Sequence, residues 1–205
     1  MSVKILVACE CSQVVTLAFR KAGFEAYSND IVPCYGGHPE WHIVGDAREV
    51  VRGHARFVTQ SAQVVSVPGL WSMIIAHPPC TMLTHSSAVA LAQGLHTMED
   101  VKRAREFFLQ MLNAPCRFVA VENPAPMAIA QLPRYNQIVQ PWYFGHKFSK
   151  RICLWLRGLP PLLATGPICY SHQPWLEHCA STPRRRSHFW PGVADAMALQ
   201  WGSLL

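Results

Sequence analysis

The stretch IIAHPPCT, residues 74–81, decides the fold, together with a second stretch, VAVENP, at residues 119–124. Each is an apolar run, typical of a buried strand, that stops at one reactive side chain and a proline. The reactive side chains are a thiol, Cys80, and a carboxyl group, Glu122. The pattern predicts two strands that present these groups at their ends.

The segment between the two stretches is predicted to be a crossover helix. Residues 98–113 carry apolar side chains at helical spacing, and Pro115 closes the run. A strand, a helix and a second strand in sequence normally form a right-handed unit with parallel strands. Because adjacent strands lie about 4.8 Å apart, side chains at their carboxyl ends can converge on one small ring. Ligands bind at that edge of open α/β sheets, so we expect a site there.

The rest of the chain also alternates between strand-like and helix-like runs, which predicts an α/β sheet with crossover helices. We predict strands at residues 4–9, 24–30, 71–76, 117–121, 138–144 and 152–156, the last pair forming an antiparallel edge. Ser12 is expected to cap a helix over 13–22, and Asp46 to open a second, short helix.

Length and composition indicate one compact unit. The chain has 205 residues, half of them apolar, which is enough to bury one sizeable core but hardly two. We expect a catalytic domain over 1–157 and a short irregular, substrate-contacting segment over 158–190. A closing helix within 191–205 is expected to pack on the catalytic domain.

Charge and cysteine content bound the environment of the protein. No apolar run approaches the roughly 18 to 20 residues of a membrane span, and no signal-peptide layout is present, so we expect a cytoplasmic protein without membrane contact. Several of the 8 cysteines fall inside strand-like runs, which favours reduced thiols. The net charge of +6 and the pI near 9.0 favour a polyanionic partner.

A cysteine beside a glutamate suits covalent chemistry on cytosine. Carbon C5 of cytosine is inert until a nucleophile adds at C6, so an enzyme that modifies C5 needs a thiolate. It also needs an acid near N3, because a carboxyl group there stabilises the charge that develops as sulfur adds. Cys80 provides the first group and Glu122 the second. The structural alternative is a buried thiol and an ordinary Glu-Asn-Pro turn after a strand.

At these residues the chain resembles the DNA cytosine-5 methyltransferases, most closely the short single-domain members carried by bacteriophages and prophages. Residues 78–80, with the serine-containing stretch 81–87, resemble their catalytic loop, and residues 121–123 resemble their Glu-Asn motif. The resemblance covers roughly residues 3–156 and implies a Rossmann-like class I S-adenosylmethionine-dependent methyltransferase sheet. The implied catalytic and DNA-contacting residues of these motifs are Cys80, Glu122 and Asn123, and Thr81, Ser86 and Ser87.

The resemblance also implies a site for S-adenosylmethionine. Asn29-Asp30-Ile31 is similar to the region where an acid holds the ribose of the cofactor, and Gly45-Asp46 matches a turn whose aspartate reaches the adenine amine. Pro191 to Ala198 is similar to a closing motif that returns to the cofactor. The implied cofactor-binding residues are Cys9, Glu10, Asp30, Ile31, Asp46, Ala47 and Pro78.

Two motifs depart from the family pattern. Members usually carry a Phe-x-Gly-x-Gly loop after the first strand, whereas residues 8–13 read ACECSQ, without a glycine. We expect backbone amides at the start of the following helix to meet the polar tail of the cofactor instead. The family's Gln-x-Arg-x-Arg motif, which contacts the cytosine carbonyl, is reduced to KFSKR at 147–151. From it we assign Arg151 to catalysis and Lys150 to nucleic-acid contact.

The lobe that reads DNA in typical members has only residues 158–190 to stand in for it, so we expect loose sequence specificity. We expect Arg184, Arg185 and Arg186 to grip phosphates, with His188, Phe189 and Trp190 stacking on an unpaired base. The alternative is a solvated basic tail with its aromatic residues packed on the core. The expected partner is DNA, either single-stranded or loosely specified duplex, because a target base must leave its stack to reach the thiol.

Other functions remain open at the level of sequence. We assign no metal, although two groups carry zinc-ligand residue types: Cys169, His172, His178 and Cys179, and more loosely Cys34, His38 and His42. Scattered surface histidines explain both. A methyltransferase-like decoy that binds nucleic acid without catalysis is one rival function, and the same covalent chemistry with a non-methyl group is another. An amino-methyltransferase is disfavoured, because its Asp-Pro-Pro-Tyr or Asn-Pro-Pro-Tyr loop is replaced by His-Pro-Pro-Cys.

Overall fold

The computed structural model describes residues 3–168, 171–175 and 189–205, apart from the side chain of Ser86. The strands are β1 (Lys4–Ala8), β2 (Glu25–Asp30), β3 (His42–Val44), β4 (Ala55–Val58), β5 (Val64–Val67), β6 (Met73–Ala76), β7 (Phe118–Asn123), β8 (Gln137–Val139), β9 (Phe148–Ser149), β10 (Ile152–Arg157) and β11 (Gln173–Pro174). The helices are α1 (Val14–Lys21), α2 (Ala47–Val50), α3 (Ala88–Ala92), α4 (Met98–Leu112) and α5 (Pro191–Gly202).

Seven strands form the central sheet, in the order β3-β2-β1-β6-β7-β10-β8. All run parallel except β10, which is antiparallel to both of its neighbours. The predicted fold class, a mostly parallel Rossmann-like sheet with an antiparallel strand at one side, is confirmed. The antiparallel strand lies one position inside the edge, because β8 covers it. The strand order reverses between β1 and β6, and the carboxyl ends of these strands therefore open a crevice.

The middle of the sheet is buried on both faces. The side chains of Ile5 to Ala8 in β1 and of Met73 to Ala76 in β6 are fully buried, as expected for strands that read as continuous apolar runs. Helices α1 and α5 pack against each other on one face, and α2 and α4 cover the other. This rigid layer fixes the positions of the loops that follow β1, β2, β6 and β7.

Several sequence-based boundaries are corrected by the structure. Strand β7 continues through Asn123, so Glu122 lies within the strand, paired opposite Leu154, and not beyond its end. The strand predicted over 138–144 breaks at Pro141, which begins a short 3-10 helix. Sequence patterns also missed β3, the β4–β5 hairpin and α3, because these elements are short. In the part of the chain described above, no helix is long and apolar enough to span a bilayer.

Candidate active site

A cavity of about 470 Å³ lies at the carboxyl edge of the sheet, where the strand order reverses. Six of the seven residues implied for cofactor binding line it: Cys9, Glu10, Asp30, Ile31, Asp46 and Ala47. Pro78 is the exception, since its neighbour Pro79 takes the place in the wall. The wall residues that were not predicted for this role include His77, Phe107, Phe189 and Arg48. The cavity thus collects loops that follow four different strands.

The loop after β1 adopts glycine-like backbone conformations without containing a glycine. Cys9 has a φ of 59° and Gln13 a φ of 61°, both in the left-handed region. Each such non-glycine residue costs roughly 1–2 kcal/mol. The Gln13 side chain offsets part of this cost, because it donates to the carbonyl of His38 at 2.8 Å and accepts from its amide at 3.1 Å. The loop therefore keeps a tight turn without a glycine.

Glu10 fills the amino end of α1 with its own carboxylate. Its Oε1 accepts from the Val15 amide at 2.6 Å, and its Oε2 accepts from the amide and the hydroxyl of Thr16 at 3.2 and 2.7 Å. Two amides at the start of α1, those of Val15 and Thr16, are therefore already occupied by a side chain. Ser12 does not cap the helix either, since the N-cap residue is Gln13 and it makes no side-chain cap. Burial raises the pKa of Glu10 against the opposing effect of His77 and these donors.

The acids predicted at the ends of β2 and β3 both reach the cavity. Asp46 caps α2 as predicted, accepting from the Arg48 amide at 2.9 Å, and its carboxylate also pairs with the Arg48 guanidinium. The hydrogen bond from the Arg48 guanidinium lowers the pKa of Asp46. Asn29, which is fully buried, holds the turn in place by donating to the carbonyls of Ile43 and Gly45 at 2.9 Å each.

The thiol of Cys9 is a poor nucleophile in this wall. Burial raises its pKa to about 12, and the nearby carboxylates of Asp30 and Asp46 contribute in the same direction. Asp30 and Asp46 thus both act on the Cys9 side of the cavity. Arg48 adds a positive charge to the same lining.

The Cys80 loop, residues 78–84, is a tight turn tied to the neighbouring strand. The Cys80 carbonyl accepts from the Leu83 amide at 2.9 Å, and the Asn123 side chain donates to the Pro78 carbonyl at 2.8 Å. Asn123 is only 1 % exposed, so this bond is shielded from water. Cys80 itself is half-buried. Asn123 therefore positions the loop that carries the thiol against the strand that carries Glu122.

Glu122 pairs with a histidine that sequence reasoning did not assign. The Nδ1 atom of His77 lies 3.2 Å from Oε2 of Glu122, and the two side chains are 13 % and 12 % exposed. The register explains the pairing, since Ala76 of β6 lies opposite Val121 of β7. The only signal in the sequence was the place of His77, directly before the two prolines.

The basic residues assigned to substrate lie beside this edge. Arg151 is exposed. Its positive charge lowers the pKa of the Cys153 thiol, whereas the charge of Glu122 raises it. Burial, followed by Glu122, raises the pKa of Cys153 to about 11. Lys150 is half-buried, and its amide donates to Gln140 at 2.9 Å. The charges of Arg151 and Glu122 therefore both act on the same buried thiol.

The other predicted nucleic-acid contacts divide into three groups. Thr81 is exposed on the Cys80 loop, whereas Ser87 is buried and its hydroxyl donates to the Thr84 carbonyl at 2.9 Å. Phe189 and Trp190 are packed in the core. This matches the alternative stated above, in which these aromatic residues pack on the core. Four predicted residues lie outside the described residues: Arg184, Arg185, Arg186 and His188.

The candidate zinc ligands are dispersed where they can be placed. His42 is fully buried, with Nδ1 bonded to the Ser28 hydroxyl and Nε2 to the Val32 carbonyl, so both ring nitrogens are used. His172 is exposed and stacks on Trp142. Among the described residues no group of three metal-ligand side chains comes together. Three candidates fall outside the described residues: Cys169, His178 and Cys179.

Comparison with known proteins gives structural neighbours without a sequence family. No family model matches the chain, and no curated protein matches it. The fold is similar to that of a protein described as a DNA modification methyltransferase encoded within an E. coli prophage, with 14% identity, a TM-score of 0.47 and coverage of 76% of this chain and 46% of that one. It is also similar to the S. pombe Dnmt2 methyltransferase, with 13% identity, a TM-score of 0.44 and coverage of 78% and 50%. The chain thus spans about half the length of either protein.

Proposed function

We propose that this chain transfers a methyl group from S-adenosylmethionine to C5 of cytosine in DNA through a covalent adduct with Cys80. The observation that carries the proposal is the arrangement at the carboxyl edge of β6 and β7. Cys80 follows one strand, Glu122 lies near the end of the adjacent strand, and Asn123 bonds the two segments together beside the cavity. A thiol and a carboxyl group so placed suit the two demands of C5 chemistry.

The steps follow from the groups on the two strands. The Cys80 thiol loses its proton to water and its sulfur bonds to C6 of a flipped cytosine. The C5–C6 double bond moves to C4–C5, and N3 takes a proton from Glu122. When bound, S-adenosylmethionine supplies an electrophilic methyl group at C5. The C5 proton then leaves to water, the sulfur–C6 bond breaks, and N3 returns its proton to Glu122. Arg151, exposed at the same edge, is assigned to the cytosine carbonyl.

The cavity fits the cofactor in size and in chemistry, with one change of partner. Its volume of about 470 Å³ lies within the usual range of roughly 300–1,000 Å³ for small-molecule sites. We assign the ribose hydroxyls of the cofactor to Asp30. Its adenine is assigned to Asp46 and to the aromatic wall residues Phe107 and Phe189, and its cationic groups to the acidic side chains of the lining. Because Glu10 already occupies the amides of Val15 and Thr16, the cofactor's carboxylate would use other donors of the wall.

Product analysis tests the proposal directly. The protein is incubated with S-adenosylmethionine and cytosine-containing DNA, both single-stranded and duplex, and the digested nucleosides are identified by mass spectrometry. We expect 5-methylcytosine with the wild type and none with Cys80→Ser. A different group on C5 would replace the methyl assignment, and unmodified cytosine across all substrates would overturn the proposal.

A catalytically inactive, nucleic-acid-binding decoy is the second candidate, favoured by the Glu10 carboxylate at the α1 amides. Calorimetry with S-adenosylmethionine separates the two functions. An enzyme should bind the cofactor, and Asp46→Asn should weaken binding while keeping the helix cap, because asparagine caps as well as aspartate. A decoy should bind DNA and give no heat with the cofactor.

A further inference from the structure

His77 lines the cavity directly before the Cys80 loop and interacts with two carboxyl groups, those of Glu122 and Glu10. Its backbone amide donates to the Ala8 carbonyl at 3.0 Å, which fixes its position to β1. Its ring packs on Phe189, with centroids 4.8 Å apart. The Phe189 ring is tilted against the imidazole at an interplanar angle of 56°.

The two nitrogens have unequal environments. Nδ1 lies 3.2 Å from Oε2 of Glu122. Nε2 is buried and has no hydrogen-bond partner among the described residues, although His77 lines the cavity. Leaving a buried polar atom unsatisfied costs about 1–3 kcal/mol, so such an atom calls for an explanation. Because Nε2 has no partner among the described residues, Nδ1 is the nitrogen through which the ring can exchange a proton with a neighbouring carboxyl group.

The charges around His77 come from every element packed on it. Glu122 faces it from β7, and Glu10 interacts with it from the loop after β1, where the histidine opposes the burial that raises the pKa of Glu10. The remaining titratable and charged residues of the cavity wall are Cys9, Cys11, Asp30, Asp46 and Arg48. Carboxyl groups outnumber cations in this set, so the imidazole lies among groups that can accept a proton from it.

We propose that His77 is a positioning residue that shares with Glu122 the proton delivered to cytosine N3, an inference that rests on the proposed function. As the Cys80 sulfur bonds to C6, Glu122 passes a proton to N3 and Nδ1 of His77 passes its own to Glu122. Nε2 holds the second imidazole proton through this step. On elimination N3 returns its proton to Glu122, and Nδ1 recovers the one it gave. No other reactant is needed for this cycle.

The pH dependence of adduct formation tests the proposal. An oligonucleotide with 5-fluorocytosine traps the adduct, because fluorine cannot leave C5 as a proton does. In His77→Asn the amide preserves a hydrogen bond to Glu122 but cannot titrate, so Glu122 holds the proton alone. We expect trapping to slow about 100-fold and the alkaline limb of its pH profile to move to lower pH by at least one unit.

A matched control separates this effect from a general loss of structure. His38 pairs with Glu40 at 2.9 Å, a histidine–carboxylate pair outside the cavity, and His38→Asn should leave rate and profile unchanged. A folded His77→Asn protein with a wild-type pH profile would overturn the proposal, since a merely structural role would lower stability without moving the limb.

An NMR measurement judges the pairing independently of turnover. Glu122→Gln should displace the ring ¹⁵N resonances of His77 and leave those of His38 unchanged, because the substitution removes the carboxylate that lies 3.2 Å from Nδ1. Unchanged His77 resonances would overturn the pairing. Failure of the wild type to trap 5-fluorocytosine would overturn the proposed function and with it N3 as the proton's destination, while this NMR measurement would still decide whether the two side chains are paired.

Discussion

Replacing Asn123 by alanine should destabilise the protein and loosen the Cys80 loop together. Asn123 is 1 % exposed and donates one hydrogen bond of 2.8 Å to the Pro78 carbonyl. Alanine removes the donor and leaves a buried carbonyl without it, which costs about 1–3 kcal/mol. For a chain of this size the urea m-value is about 2 kcal/mol/M, so the unfolding midpoint should fall by roughly 0.5–1.5 M.

Equilibrium unfolding in urea measures this cost, and trapping of 5-fluorocytosine measures its functional consequence. We expect trapping by Asn123→Ala to slow at least 10-fold under native conditions, because a displacement of about 1 Å can cost roughly 100-fold. Asn136→Ala is the control: its Oδ1 accepts from the Leu156 amide at 2.7 Å at an exposed position, where water replaces the bond. An Asn123→Ala protein that unfolds within about 0.5 kcal/mol of the wild type and traps at the wild-type rate would refute the reasoning.

Three further predictions concern other parts of the fold. Gly36→Ala should lower the free energy of unfolding by about 1–3 kcal/mol, because a Cβ there would lie 2.5 Å from the Ser12 carbonyl oxygen. Gly45→Ala is the control and should leave thermal unfolding unchanged, since a Cβ there has nothing within 4 Å. Asp100→Asn should lower Tm by a constant amount above about pH 4, and the difference should shrink as pH falls towards 2, since Thr97 and Arg103 lower the pKa of Asp100 to about 2. A difference that keeps its full size at pH 2 would contradict this. Cys9, with its pKa raised to about 12, should resist iodoacetamide in the native protein at pH 8, and rapid alkylation would argue against its buried setting.

The central sheet and its functional edge could be predicted because long apolar runs carry a strong signal. The runs that became β1, β6 and β7 are buried on both faces, so their composition alone indicated strands. The end of β6 before Pro78 and Pro79 and the Asp46 cap of α2 depend on a few neighbouring residues, and both were predicted correctly. Short elements such as β3 and the β4–β5 hairpin carry too few residues for a periodic pattern, and they were missed.

The details of the site depended on contacts that sequence spacing does not reveal. Glu10 occupies the α1 amides because the loop after β1 turns back on the helix, a path set by the left-handed conformations of Cys9 and Gln13. The pairing of His77 with Glu122 depends on the register between β6 and β7, which places residues 45 positions apart side by side. Buried hydrogen bonds of this kind follow from tertiary packing, and only the structure identifies them.

The covalent adduct of Cys80 is the most direct test of the account. The protein is incubated with S-adenosylmethionine and an oligonucleotide that contains 5-fluorocytosine, and the complex is examined by denaturing mass spectrometry. The account predicts one protein–DNA adduct, attached at Cys80, in the wild type and in a Cys34→Ser control, and its loss in Cys80→Ser. An adduct that survives Cys80→Ser, or none with any DNA substrate, would contradict the central claim.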